Sequence, residues 1–379
     1  GAATFATTPS KERWTFPARR GDVRSPEGFR GPLFGPLVTP SPGQVASRAS
    51  PGDATMAGST LLYLSRRDVE SLSIPMQDVI RAVEAALEEK GRGTAEMPPK
   101  PGVHPREDAF IHAMPALLRD LPGAGIKWVS GFPQNLSRGL PYISGLFILN
   151  DVETGLPLAV MDCTWITGVR TGAASAVAAK YLARPEARTV GIVACGVQGR
   201  TNLEAMACLF PLEEATAYDL DPAAARRFAR EMGEKLEVEI TPVDQVREAV
   251  EGMDLVVTSG PILKDPKPQI PADWLAPGSF ACPLDFDSYW TGEAMAQVDR
   301  LATDDLPQLD YYRKSGYFSR TPEPYADLGE IVTGRKTGRR TSHERTMSLN
   351  LGLAVEDVAT ARIIYDRALE AGVGQELPL

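Results

Sequence analysis

The sequence predicts an α/β protein. A Rossmann-type doubly wound domain is inserted into a mixed-sheet α+β domain. Two observations predict it. From Thr189 to Asp219 the chain reads as a buried apolar run, a glycine-rich turn, a helical run, a second apolar run and an acid. That order is the pattern of a dinucleotide site. Upstream, four strand-like runs follow one another with only short turns between them, as hairpins do and βαβ units do not.

The glycine-rich unit is the more specific of the two. Val190 to Ala194 is short, apolar and partly β-branched, as a buried parallel strand is. Gly196, Val197, Gln198 and Gly199 follow at once and open a helical run. Glycines there let the backbone approach a pyrophosphate, and the free N–H groups of the helix N-terminus face that anion. Ala215 to Tyr218 is the second strand, and Asp219 after it is placed to accept both ribose hydroxyls. The first glycine of the G-x-G-x-x-G pattern is Ala194, which serves if the turn residue keeps negative φ. An ordinary tight turn between strand and helix is the simpler alternative.

The remaining elements follow in order. Residues 1–55 are rich in Pro, Gly, Ser, Thr, Arg and Ala without apolar periodicity, and read as a disordered leader or an appended extension, with Met56 resembling a natural start. Leu61 to Leu64 is a strand. Ser71 or Ser73 is the expected cap of a helix with Pro75 in its first turn and Val79, Ile80, Val83, Ala86 and Leu87 on one face. Ala109–Met114, Gly125–Ser130, Tyr142–Asn150 and Leu156–Cys163 are the four strand-like runs, and Thr164–Leu182 is a helix rich in small residues. Asp221 and Pro222 begin another helix, Asp254–Ser259 and Gly278–Cys282 are buried strands, and Leu353–Ala371 is helical. The expected boundaries are 56–183 plus 320–379 for the mixed-sheet domain and 184–319 for the nucleotide domain.

Composition narrows the function. With 379 residues, 43% hydrophobic and 23% charged, the chain has ordinary globular composition. A formal net charge of −9 without a basic block after residue 56 argues against nucleic acid or an anionic membrane as partner. Cys163, Cys195, Cys208 and Cys282 form no C-x-x-C pair, and three sit in apolar runs or at the glycine turn, so they read as small core residues in a reducing compartment such as the cytoplasm. His104, His112 and His343 share no metal-ligand spacing.

Three residues stand out chemically. Lys127 lies inside Gly-Ile-Lys-Trp-Val, either as a snorkelling surface lysine or as a site cation. Arg170 lies near the start of the small-residue helix, as a structural arginine or as the two-pronged partner of a substrate carboxylate. Asp285 follows the strand where the crevice of a doubly wound sheet opens, among Pro, Leu, Phe, Tyr and Trp, so burial should raise its pKa towards the range useful for proton transfer. Asp287 is an acidic neighbour only slightly less favoured.

Several stretches together resemble the ornithine cyclodeaminase/μ-crystallin family. They are Gly125-Ile-Lys-Trp-Val-Ser-Gly, Asp151-Val-Glu-Thr-Gly-Leu-Pro-Leu-Ala-Val-Met-Asp, Ile166-Thr-Gly-Val-Arg-Thr-Gly-Ala-Ala-Ser-Ala, Ala194-Cys-Gly-Val-Gln-Gly and Leu351-Gly-Leu-Ala-Val-Glu-Asp. The resemblance covers roughly residues 60 to 372. It implies a homodimer with NAD(P) in the Rossmann half and a small amino-acid or imino-acid substrate at the domain junction. It implies that Arg170, Lys127 and Lys100 hold the substrate carboxylate, that Asp285 handles the substrate nitrogen, that Thr171 and residues 196–199 contact the cofactor, and that Asp219 favours NAD. Ornithine-cyclising members carry a glutamate where His112 stands and a lysine where Tyr289 stands. The expected activity is hydride exchange at the Cα of an amino acid or its imine, as an amino-acid dehydrogenase or ketimine reductase. An ornithine cyclodeaminase with internally recycled NAD and a non-catalytic crystallin-like binder are the alternatives.

Overall fold

A computed structural model describes residues 59–379. The expected leader lies outside the described residues. The chain opens with β1 (Thr60–Leu64), α1 (Arg66–Ser71) and α2 (Met76–Arg92). It continues with β2 (Gly102–Arg106), β3 (Ala109–Leu118), β4 (Gly123–Gly131), β5 (Ile143–Asn150), β6 (Pro157–Asp162) and α3 (Thr164–Leu182). The parallel region follows as β7 (Thr189–Val193), α4 (Val197–Leu209), β8 (Glu214–Tyr218), α5 (Pro222–Leu236), β9 (Glu239–Val243) and β10 (Leu255–Thr258). Then come β11 (Phe280–Pro283), α6 (Gly292–Ala296), β12 (Arg300–Thr303), α7 (Leu306–Lys314), β13 (Ala326–Asp327), α8 (Leu328–Val332) and β14 (Thr346–Leu349), and finally α9 (Ala354–Ala371) and β15 (Gln375–Pro378).

These strands make two sheets. The first has seven strands in the order β15-β1-β6-β5-β4-β3-β2; β1 and β6 run parallel and the other neighbours antiparallel. The second has eight strands, all parallel, in the order β13-β12-β14-β11-β10-β7-β8-β9. Strand order reverses between β7 and β10. That reversal is the switch point of a doubly wound sheet, where the carboxyl ends of the strands open a crevice.

The expected return to the first sheet at residue 320 is displaced. β13 and β14 belong to the parallel sheet, and β14 lies between β11 and β12. Its Thr346-Met-Ser-Leu is fully buried, so burial on both faces, rather than alternation, is its signature. Only α9 and β15 go back, β15 pairing with β1.

Two local expectations also change. Neither Ser71 nor Ser73 caps α2; Pro75 occupies that place without a side-chain cap, and the capping box belongs to α1, between Ser65 and Asp68. At the glycine-rich turn Ala194 has φ 77°, not the negative φ expected. Its N–H donates to the Tyr218 carbonyl at 2.8 Å and its carbonyl accepts from the Ser259 hydroxyl at 3.1 Å. Those contacts hold an L-residue in a conformation that costs roughly 1–2 kcal/mol.

α3 ties the two sheets together. It packs against α2, α4 and α9, and Cys282 on β11 contacts Ser175 on it at 3.4 Å. A Cβ at Gly172 would stand 2.5 Å from the Thr201 carbonyl oxygen, so glycine there sets how closely α3 and α4 approach. α9 covers β3 and β4 from the inner side of the first sheet. The start of α9, the middle of α3 and the inward residues of β4 therefore meet.

Candidate active site

That meeting place is charged and almost dry. Lys127 points inward from β4 and is 1% exposed. Its Nζ donates to Asp357 Oδ1 at 2.8 Å. Arg170, from α3, reaches the same oxygen through Nε at 3.0 Å and donates through a terminal nitrogen to Glu356 Oε2 at 3.0 Å. Lys100, in the segment before β2, donates to the carbonyls of Leu351 and Gly352 at 2.7 and 3.2 Å and lies over the Tyr312 ring. Asp304 completes the set by accepting from the Gly352 N–H at 2.7 Å. Gly352 has φ 82°, and a Cβ there would strike the Arg170 guanidinium. Three buried basic side chains thus face three buried acidic ones.

Burial and charge act on each group differently. Burial lowers the Lys127 pKa, and its one carboxylate partner does not recover it. Burial opposes the Arg170 charge too, but Asp357 and Glu356 together outweigh it and raise its pKa. Lys100 is brought down to about 7, first by burial and then by Arg170. Asp304 is pushed up to about 8 by burial and by Glu356. Ions taken out of water at this cost are weak evidence for stability. A set of strongly perturbed groups is better evidence for a functional site.

His112 lies at the edge of the same field. It is half-buried on β3, stacked on Phe110 with ring centroids 4.3 Å apart. Burial, then Lys100, brings its pKa down to about 3, so the imidazole is neutral.

Asp285 sits just beyond the end of β11, on the side of the parallel sheet where β10 also ends. It is wholly buried. Oδ1 accepts from the Thr258 hydroxyl at 3.1 Å and Oδ2 from the Gly260 N–H at 3.2 Å. Burial pushes its pKa up to about 7 despite these donors. Phe286, at φ 61°, turns the chain directly after it and buries its own ring against Tyr312, Tyr317 and Phe318. Asp287 is separated from it by that turn and, unlike Asp285, lines a cavity of about 170 Å³ with Lys264, Trp290 and Arg320. The geometry thus distinguishes two acids that the sequence left nearly equivalent.

The turn after β7 has the features an extended anion needs. Gly196 has open space where a Cβ would be, and a Cβ at Gly199 would lie 2.4 Å from the Ala194 carbonyl oxygen. Glycine at 199 therefore lets α4 start close to the strand end, and glycine at 196 leaves its approach clear. Val197, at the first turn of α4, is 63% exposed. Gln198 donates to the Thr167 carbonyl at 3.3 Å, while its own buried carbonyl oxygen has no partner. Thr171 donates to that same Thr167 carbonyl at 2.8 Å. Asp219 accepts from the N–H groups of Cys195 and Asp221 at 2.8 and 2.9 Å, which fixes the carboxylate at the end of β8.

Sequence reasoning missed Glu356, Asp357 and Asp304. For Glu356 and Asp357 the available signal was an adjacent Glu-Asp pair in the otherwise uncharged first two turns of a helix, where unpaired acids are costly if buried.

Comparison with known proteins agrees with this architecture. The sequence model of the ornithine cyclodeaminase/mu-crystallin family matches residues 61–372, and the chain belongs to that family. It is 36% identical over 319 residues to the nodulation efficiency protein NfeD of Rhizobium meliloti, covering 82% of this chain and 97% of that one. It is 35% identical over 325 residues to an alanine dehydrogenase of Archaeoglobus fulgidus, covering 83% and 98%. Among solved structures it is similar to the Thermococcus litoralis Δ1-pyrroline-2-carboxylate reductase in complex with NADH and L-proline, with TM-score 0.76 and 36% identity over 84% of this chain and all of that one. It is also similar to an archaeal alanine dehydrogenase dimer with bound NAD, with TM-score 0.75 and 34% identity over 84% and 99%.

Proposed function

From that family membership, we propose that the protein is an NAD-dependent oxidoreductase acting at the Cα of an amino acid or its imine. One observation carries the reading. Asp285 is buried at the carboxyl end of β11 with its pKa raised to about 7, and β11 contacts α3, whose Arg170 shares the Asp357 carboxylate with buried Lys127. A site with cations for a carboxylate and a poised acid for a nitrogen suits an amino or imino acid.

The residues present fit the cofactor. Gly196 leaves clear space, Gln198 offers an unpaired buried carbonyl oxygen, and Asp219 is held where ribose hydroxyls would approach. Residues 196–199, Thr171 and Asp219 would hold NAD, which when bound supplies the acceptor or donor of hydride. Asp219 opposes a 2′-phosphate by like-charge repulsion. Arg170 and Lys127 orient the substrate carboxylate, with Glu356 and Asp357 keeping their side chains in place. Lys100 adds a charge that varies near neutral pH. Asp285 gives a proton to the substrate nitrogen in reduction and takes one in oxidation. His112 and Tyr289, in place of the glutamate and lysine of cyclising relatives, argue for net redox rather than cyclodeamination.

A homodimer is part of the proposal. The outward face of the first sheet carries a cross-strand row of Tyr63, Val160, Ile148 and Ile126, with Trp128 opposite Leu146 beside it. Trp128 and Leu146 are about half exposed. A broad apolar sheet face of this kind supports self-association. The experiment for the reaction is a 340 nm screen of amino acids with NAD, and of Δ1-pyrroline-2-carboxylate and 2-oxo acids plus ammonia with NADH. Net turnover supports the proposal. Saturable NADH binding without turnover of any of these would support a binding protein instead.

A further inference from the structure

Asp285 does not stand alone behind the sheet. Trp290 is buried, 1% exposed, and its indole Nε1–H donates to the Thr258 hydroxyl oxygen at 3.2 Å. Thr258, fully buried at the end of β10, donates in turn to Asp285 Oδ1 at 3.1 Å. The backbone pins both ends of this chain. Gln269 and Ile270 donate their N–H groups to the Tyr289 carbonyl at 2.9 Å, next to Trp290, and Leu284 donates to the Thr258 carbonyl at 2.8 Å, next to Asp285.

The direction of the chain follows from what each group can do. An indole N–H only donates, and a threonine hydroxyl has one proton to give. The indole takes one lone pair of the Thr258 oxygen. Among the described residues, the only acceptor within hydrogen-bond distance of that hydroxyl is Asp285 Oδ1. Protonation of Asp285 weakens the acceptor that this hydroxyl proton depends on, and a buried donor without a good partner is costly.

We propose that Trp290 and Thr258 form a one-way hydrogen-bond relay, in which the indole orients the Thr258 hydroxyl so that its proton is held on Asp285 Oδ1 and the carboxylate form is favoured. Trp290 and Thr258 are then positioning residues. They act through Asp285 and favour its ionised form against burial. Oδ2 is the oxygen facing the Gly260 N–H, and Gly260 carries no side chain because the Tyr289 hydroxyl occupies that space, 2.2 Å from where a Cβ would be. This rests on the reading of Asp285 as the acid–base group.

The test needs no substrate. The full-length protein, labelled with [γ-¹³C]aspartate, gives the titration of Asp285 by NMR, its signal assigned by its loss in Asp285→Asn. Thr258→Val keeps shape but removes one hydrogen bond to a charged group. The Asp285 midpoint should rise by about one to two pH units. Thr258→Ser should restore it. Trp290→Phe should raise it by a smaller amount, and by nothing more when Thr258 is already Val. An unmoved midpoint in Thr258→Val, or a Trp290→Phe shift that persists in the Val background, overturns the relay. Turnover of Δ1-pyrroline-2-carboxylate with NADH separates the two claims. If Asp285→Asn turns over normally while Thr258→Val shifts the midpoint, the acid–base reading fails and the relay stands. If Asp285→Asn is inactive and Thr258→Val shifts nothing, the relay alone fails.

Discussion

Asp357→Asn removes one charge from the centre of the buried cluster and almost no volume. In the native protein a single oxygen, Oδ1, accepts from Lys127 at 2.8 Å and from Arg170 at 3.0 Å. Lys127 has no other anionic partner among the described residues, and Arg170 keeps only Glu356. Breaking a buried pair by removing one partner costs about 3–5 kcal/mol, because the other charge stays buried and uncompensated. Asparagine retains a neutral acceptor, so the lower end, about 3 kcal/mol, is expected. Arg66→Ala, which breaks the exposed pair with Glu70, provides the contrast and should cost at most about 1 kcal/mol. The assay is urea unfolding at pH 7, repeated at about 0.5 M salt, because screening acts on exposed pairs and much less on buried ones. Lys127→Met should recover part of the loss in the Asp357→Asn background, since no cation is then stranded. Stability within about 1 kcal/mol of the unsubstituted protein in Asp357→Asn would refute this account of the cluster.

Three further outcomes are expected. Asp219→Ala should weaken NADH binding and erode the preference over NADPH, read by fluorescence titration; equal binding of both cofactors by the unsubstituted protein contradicts the assignment. Ala194→Gly should relieve the φ 77° strain and raise stability by about 0.5–1 kcal/mol, the roughly 1–2 kcal/mol of strain less the greater entropy loss of glycine; a lower melting temperature would show that the turn is not strained. Trp128→Glu places a charge on the outward face of the first sheet and should shift sedimentation towards monomer, whereas an unchanged dimer would place the interface elsewhere.

Much of this was legible in the sequence where physics is local. The strand, glycine turn and acid around Thr189–Asp219 are fixed by short-range pattern, and α3 spans the residues its small-residue run indicates. Lys127 and Arg170 were conspicuous because a cation inside an apolar run is costly. Their partners were less visible. Glu356 and Asp357 lie 186 and 187 residues from Arg170, and only the packing of α9 on the first sheet joins them. The same distance effect hid β14, a four-residue buried strand whose place between β11 and β12 depends on topology, not periodicity. At Ala194 residue type pointed to negative φ, and the hydrogen bonds from both sides of the turn override it.

The central claim is that Asp285 moves the proton, and kcat against pH measures it most directly. Its pKa, raised to about 7 by burial, divides the two directions of reaction. Reduction with NADH of whichever imine the 340 nm screen identifies needs the protonated acid, so kcat should fall as pH rises through about 7. Oxidation of the corresponding amino acid with NAD needs the carboxylate, so kcat should rise through the same region. Asp285→Asn should lower kcat by about 10²–10⁴-fold and remove the inflection, with NADH affinity unchanged. Full kcat with the same pH profile in Asp285→Asn, or transfer of the loss to Asp287→Asn, would contradict it.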